Sequence, residues 1–168
     1  MARVWVFDNN ISTDDIIAGR YLPKFEATND SSWLGAHVME NIVPSFASKV
    51  GKGDIIVAGR NFGCGSSREE APVALKAAGI SVVVAESFAR IFYRNSINRG
   101  LPVLTCKGVR KNFKSGDDIE VDIKNSVIRN RGTNKTFKFE PLPIFILDIL
   151  NAGGLLRSLK QMVGKTKK

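Results

Sequence analysis

Ser66, Ser67 and Arg68 put two hydroxyls and a guanidinium in three consecutive positions of the run Asn61-Phe-Gly-Cys-Gly-Ser-Ser-Arg-Glu-Glu-Ala-Pro72. Groups of this kind suit a carboxylate or phosphate, because the planar guanidinium grips such anions with two parallel bonds. Gly63 and Gly65 allow a tight backbone bend and leave space for a ligand. The run follows Asp54–Ala58, an apolar stretch that reads as a buried strand. It precedes Val73–Ala78, which reads as helix and stops at Gly79. Ser66 or Ser67 can cap that helix, since each has a glutamate three residues on, Glu69 and Glu70. The free N–H groups and partial positive charge of a helix start would add to an anion site.

Other chemistries fit less well. Gly63-x-Gly65 after a strand suggests a dinucleotide site, with Glu86 at the end of the next strand for a ribose. The third glycine of that pattern is absent, however, because Arg68 stands there. There is no Gly-Lys-Ser/Thr of a phosphate loop. His37 is the one histidine and the sole candidate base for a serine triad, but it lies in an apolar stretch that nothing in the sequence brings to Ser66; a structural role is expected. Cys64, Cys106 and His37 are too widely spaced for a zinc or iron–sulfur site, so no metal ligand is expected in this chain. Cys64 reads as a packing residue. The residues alone thus offer an anion site with hydroxyls and no complete catalytic machine.

The elements that would position this site can be read in part. Val4–Phe7 is a strand and Asp8–Asn10 a turn. In Ile11–Gly19, Thr13 and Asp14 are candidate caps, Asp14 being read as a cap ahead of a catalytic acid. The segment from Arg20 to Ser32 lacks a period, contains Pro23, and reads as a long loop. Trp33–Asn41 reads as a helix capped by Ser32. Ser81–Ala85 is a β-branched strand, Phe88–Ile97 a helix capped by Ser87, and Pro102–Cys106 a third strand. Arg90 and Arg94 share a face of that helix. They serve equally as a substrate-steering or subunit-contact pair and as a solvated face. Strand–helix alternation of this kind implies a parallel βαβαβ core. Asp118–Ile123 then alternates strictly, and Ser126–Arg129 and Thr136–Phe139 follow turn signals, which predicts a small antiparallel β layer. Helices are expected over Pro143–Asn151 and Leu155–Met162.

The chain has 168 residues, 43% hydrophobic and 24% charged, and is expected to form a single domain over 1–168 with a basic, disordered tail at 163–168. No apolar stretch can cross a bilayer, and the acidic turn at Asp8 interrupts any signal-peptide core. Two cysteines make no disulfide framework, so a cytoplasmic location is expected. The net charge of +9 admits nucleic acid as a partner. Because the charge is scattered and not interleaved with aromatic residues, neither nucleic acid nor membrane is expected, and attraction of small polyanions is the better use of the field.

Three stretches together carry a resemblance: Asn61–Glu70, Ala85-Glu-Ser-Phe-Ala-Arg-Ile-Phe-Tyr-Arg-Asn-Ser-Ile-Asn98, and Gly100-Leu-Pro-Val-Leu104. They are similar to the small-subunit family of 3-isopropylmalate dehydratase, the swivelling domain of the aconitase superfamily. The likeness extends through Ser12–Leu22 and Ile149–Leu155, nearly the whole chain. It implies a swivelling β/β/α domain and a role in leucine biosynthesis, the interconversion of 2- and 3-isopropylmalate by dehydration and rehydration. It also implies a separate large catalytic subunit that carries a [4Fe-4S] cluster, in a heterodimer or heterotetramer, while this chain binds no cofactor. Carried over by motif, Ser66 is the base, and Ser67, Arg68 and Gly65 bind the substrate carboxylate. Ser67 doubles as a helix cap.

In this family the segment after Tyr21-Leu22 selects the substrate. An arginine there suits an additional carboxylate, and neutral residues suit isopropylmalate. Here Pro23, Lys24 and Phe25 follow. Lys24 could hold a carboxylate and Phe25 could line an apolar pocket, so isopropylmalate is the first expectation. Homoaconitate, citramalate and dimethylmalate are alternatives. A non-catalytic anion- or nucleotide-binding module is the alternative of another class.

Overall fold

The computed structural model describes residues 2–166. Its centre is a four-stranded parallel sheet in the order β1 (Val4–Phe7), β2 (Ile55–Ala58), β3 (Val82–Ala85), β4 (Val103–Thr105). The three strands expected of a βαβαβ core are thus β2 to β4, and β1 joins them as a parallel edge strand in the register Val4↔Ile55.

Both faces of the sheet are covered, which explains why β2 and β3 are apolar without alternation. Ile56, Ala58, Val83 and Ala85 point into one core, shared with Leu34, Phe46, Leu75 and Phe92 from the helical side. Ile55, Val57, Val82 and Val84 point into the other, shared with Phe113, Ile119, Ile128 and Phe139. That second core lies beneath an antiparallel sheet, β5 (Ile119–Asp122), β6 (Val127–Asn130) and β7 (Lys135–Lys138). Its half-buried alternation, Ile119 in and Glu120 out, is the period-2 pattern of a sheet with one wet face. The three layers are therefore β/β/α.

The helical layer runs α1 (Thr13–Ile16), α2 (Leu22–Thr28), α3 (Ser31–Ala36), α4 (Phe46–Lys49), α5 (Glu70–Ala78), α6 (Arg90–Asn98), α7 (Ile144–Asn151) and α8 (Leu155–Thr166). Several local expectations need correction. The segment after Tyr21 is not a long loop. A 3₁₀ turn over Gly19–Tyr21 leads into α2, where Pro23 sits in the first turn; there its missing N–H leaves no bond unmade. The helix expected from Trp33 to Asn41 starts at Ser31 and ends at Ala36. Asp30, not Ser32, caps it by accepting from the Ser32 amide at 2.9 Å. Ser12 caps α1 in a reciprocal box with Asp15, so neither Thr13 nor Asp14 is the cap. Ser87 does not cap α6, which begins at Arg90; its hydroxyl accepts from the Asn61 amide.

α8 continues to Thr166, four residues past the expected Met162. Lys167 and Lys168, at the end of the expected tail, lie outside the described residues. Ile144 and Phe145 on α7 and Leu156, Met162 and Val163 on α8 are exposed. The turn between these helices meets the end of α6 backbone to backbone. A Cβ on Gly100 would come within 2.5 Å of Gly153, so side chains are barred there. No helix among the described residues is long and apolar enough to cross a membrane.

Candidate active site

The segments that leave β1, β2 and β3 at their carboxyl ends are tied to one another, in the place where open parallel sheets commonly hold ligands. Asn10 N donates to Arg60 O at 2.8 Å, Gly63 N to Ile11 O at 2.7 Å and Thr13 N to Cys64 O at 2.8 Å. On the other side Phe62 N donates to Ser87 O at 3.1 Å and Ala89 N to Phe62 O at 2.9 Å. The run Asn61–Cys64 is thus an irregular extension of β2 between two neighbours. Gly63 is fully enclosed in it: φ is +79°, and a Cβ would lie 2.1 Å from the Phe92 ring.

Beyond Cys64 the chain turns out to solvent, and Gly65, Ser66 and Ser67 are exposed. The buried Thr13 hydroxyl donates to the Ser66 carbonyl at 2.9 Å and so fixes the backbone beneath the proposed base. Among the described residues neither the Ser66 nor the Ser67 hydroxyl has a protein partner. The capping role expected of these serines is not what the fold uses. α5 begins at Glu70 after Glu69, with no side-chain cap bond. The bonds of Thr13 and Arg68 tie residues 66–68 to α1 and the residue that follows it.

Arg68 is largely enclosed, with 16% of its side chain exposed. Nη1 donates to the Ile17 carbonyl at 2.9 Å and pairs with Asp14 Oδ1 at 2.7 Å. Its guanidinium also lies against Gly19, where a Cβ would sit 3.4 Å from Nη2. The other donors, Nε and Nη2, have no bonded partner among the described residues and leave one edge of the fork free. The positive setting is weaker than the sequence suggests. Asp14 offsets Arg68, the Gly63 amide is already bonded to Ile11, and Glu69 and Glu70 stand at the helix start.

The residues expected to select the substrate form a second group. The Tyr21 hydroxyl donates to Glu40, and its ring stacks on His37 with centroids 4.0 Å apart. Lys24 holds its ammonium 3.5 Å above the centre of the Trp33 ring, a cation–π contact. Leu22 and Phe25 are half-buried against the main core. His37 is accordingly structural, with Nδ1 3.1 Å from Glu40 Oε2. Hydrogen bonds hold Glu40 in its charged form against its burial. Burial raises its pKa, but Tyr21, His37 and Arg20 more than compensate and leave it below the ordinary carboxylate value. Arg68 against Gly19 is the link between the two groups.

Cys64 and Cys106 are both free. Cys106 is buried with its thiol pushed up to about 11, chiefly by desolvation, and is inert. No three His, Cys, Asp or Glu side chains converge on a point among the described residues. These side chains therefore do not make a cradle for an iron–sulfur cluster. Arg90 and Arg94 are exposed on α6, Arg90 beside a hollow of about 290 Å³ with Tyr93 and Thr105. A wider cavity of about 600 Å³ lies between α5, the end of α6 and the start of α8, and none of the expected site residues lines it. The hydroxyl–guanidinium cradle is an open rim and not an enclosed pocket.

Thr13 and Asp14 are the site residues that sequence reasoning undervalued. The signal was present: Ser12-x-x-Asp15 is a capping box that aims the start of α1 at the neighbouring strand end.

Comparison with known proteins agrees with the fold. The aconitase C-terminal domain family matches residues 7–108. The 3-isopropylmalate dehydratase small subunit 1 of Methanopyrus kandleri is 54% identical over 95% of this chain and 91% of its own length. The isopropylmalate/citramalate isomerase small subunit of Methanocaldococcus jannaschii is 49% identical over 98% of this chain and 96% of its own length. The crystal structure of a 3-isopropylmalate dehydratase from the same organism superposes with a TM-score of 0.90 at 43% identity, over 99% of this chain and 98% of that one. A parallel sheet under an antiparallel one and near full-length likeness converge on one assignment: the chain belongs to the aconitase C-terminal domain family, among the 3-isopropylmalate dehydratase small subunits.

Proposed function

We propose that this chain is the small subunit of a two-subunit hydro-lyase that interconverts 2- and 3-isopropylmalate by elimination and re-addition of water. The observation that carries the reading is the Ser66–Arg68 run, with Ser66 and Ser67 exposed, Ser66 pinned through its carbonyl by Thr13, and the largely enclosed Arg68 keeping Nε and Nη2 unbonded. Ser66 takes the proton from the carbon next to a carboxylate. Arg68 holds that carboxylate through Nε and Nη2, and the Ser67 hydroxyl and the Gly65 backbone complete the grip. Asp14 and the Ile17 carbonyl keep the guanidinium plane in place from its other end.

A serine hydroxyl is a weak base, and its anion needs strong positive surroundings. Arg68, partly neutralised by Asp14, does not supply enough alone. This supports a half-site completed by a large subunit. An iron–sulfur cluster held there would act as the Lewis acid toward the leaving hydroxyl. Phe25, half-buried against the main core with Tyr21 and Leu22, gives the isopropyl group an apolar neighbour, and Lys24 can leave Trp33 to meet a second carboxylate. With both cysteines free, the reading places the enzyme in the cytoplasm, as a heterodimer or heterotetramer. A second reading, in which citramalate is also accepted, is favoured by the likeness to the Methanocaldococcus isopropylmalate/citramalate isomerase small subunit. The chain assembled with a large subunit and given both substrates tests the pair: turnover of neither removes the enzyme reading.

A further inference from the structure

The 3₁₀ turn and α2 carry the residues proposed to select the substrate, and their attachment to the rest of the molecule converges on one carboxylate. Glu40 lies in the turn after α3. Its Oε1 accepts from the Tyr21 hydroxyl and the Arg20 guanidinium, and its Oε2 faces Nδ1 of His37. Tyr21 and His37 stack with their planes 11° apart, and Trp33 meets both rings edge-on at 5.8 and 4.2 Å. The Trp33 indole donates to the Tyr21 carbonyl at 3.2 Å and carries Lys24 on its face.

The turn that bears Glu40 is in turn tied to α1. Met39 N donates to Ile16 O at 2.8 Å, and the Asn41 amide donates to Asp14 O at 3.1 Å. Asp14 is the residue paired with Arg68. α2 has seven residues, none of them fully buried, and is too short to hold its place by itself. The polar hub holds the turn that leads into it, beside the packing of Leu22 and Phe25 on the main core.

We propose that Glu40 is the positioning residue of the substrate-selecting segment: by gathering Arg20, Tyr21 and His37 on one carboxylate it fixes α2, with Lys24 and Phe25, relative to Arg68. This rests on the reading that Tyr21–Phe25 face the substrate's variable group. A glutamine at 40 keeps the length but removes the charge that pairs with Arg20, and it keeps the His37 contact only by donating to Nδ1 of the neutral Nε2–H tautomer.

The test uses Glu40→Gln, Glu40→Asp and Phe25→Ala in the enzyme assembled with its large subunit, with 2-isopropylmalate and citramalate as substrates. Glu40→Gln should raise KM for 2-isopropylmalate about 10-fold with a smaller change in kcat, because a displaced pocket wall weakens binding of the alkyl group first. It should also narrow the preference for isopropylmalate over citramalate, and speed amide exchange across residues 19–29 of the free chain while β2 and β3 stay protected. Glu40→Asp should fall between the wild type and Glu40→Gln. If Glu40→Gln does not fold, Tyr21→Phe, which removes one bond of the hub, is read in the same way. An equal loss for both substrates, or faster exchange with the preference intact, would mean a merely structural role and overturn the inference. A preference altered by Phe25→Ala and untouched at Glu40 also overturns it, while the segment keeps its role. If neither variant alters the preference, the reading of the segment falls with it.

Discussion

At the level of single residues, the proposed function gives Ser66 and Arg68 separable work. Removing the Ser66 hydroxyl takes away the proposed proton acceptor and no bond that the fold uses. Ser66→Ala should lower kcat by about 10²–10⁴-fold and leave subunit assembly, followed by size exclusion, unchanged. Arg68→Lys keeps the charge but loses the planar fork, and should lower kcat/KM by about 10- to 100-fold in steady-state assays. Asp54 is a structural counterpart. It is buried and accepts from Arg3 N, the Trp5 indole and Gly51 N at 2.9–3.0 Å, so it joins β1 to the turn before β2. Burial raises its pKa, but these bonds and the Arg3 charge outweigh it and bring the carboxyl below its ordinary value. A depressed folded pKa stabilises above the unfolded value, and that contribution is lost as pH falls through the folded one. Stability should therefore decline below about pH 4, and in Asp54→Ala by about 2–4 kcal/mol at neutral pH, with a flatter acid limb in urea titrations. The sequence singled out Ser66 and Arg68 by type and spacing. It could not show that Asp14 occupies half of the Arg68 fork, because that pairing spans 54 positions along the chain and depends on how the strand ends zip together.

Among the elements, the strands were the most legible and the short helices the least. β2 and β3 are continuous β-branched runs buried on both faces, a composition that has few other uses. α2 was hidden because Pro23 and a polar stretch resemble a loop, whereas a proline in a first turn breaks nothing. The capping of α5 by Ser66 or Ser67 was the local pattern's own answer, and longer-range bonds from Thr13 and Arg68 displaced it. Two substitutions test these elements. Pro23→Arg should leave the thermal midpoint nearly unchanged, since no bond is required of that position, and shift preference toward substrates with a further carboxylate. An unchanged preference in competition assays would detach α2 from selection. Gly63→Ala forces a side chain into the Phe92 ring at a positive φ and should cost about 2–4 kcal/mol in denaturant unfolding.

The molecule as a whole presents its chemistry on one rim, where the ends of three parallel strands meet, and keeps its two cores on either side of the sheet beneath. That layout was legible in outline, because helix-alternating strands followed by a strictly alternating set imply two differently covered faces. What the sequence does not convey is that Gly65, Ser66 and Ser67 lie exposed; in the proposed function a large subunit closes the reaction space over them. The decisive measurement is therefore made on the assembly. The chain is co-expressed with its large subunit, the cluster is reconstituted without oxygen, and the absorbance of the unsaturated acid is followed on addition of 2-isopropylmalate. The wild-type pair should turn the substrate over, and the Ser66→Ala pair, equally assembled, should retain at most about 1% of that rate. Full activity in the Ser66→Ala pair, or no turnover of any malate derivative by a correctly assembled wild-type pair, would contradict the account.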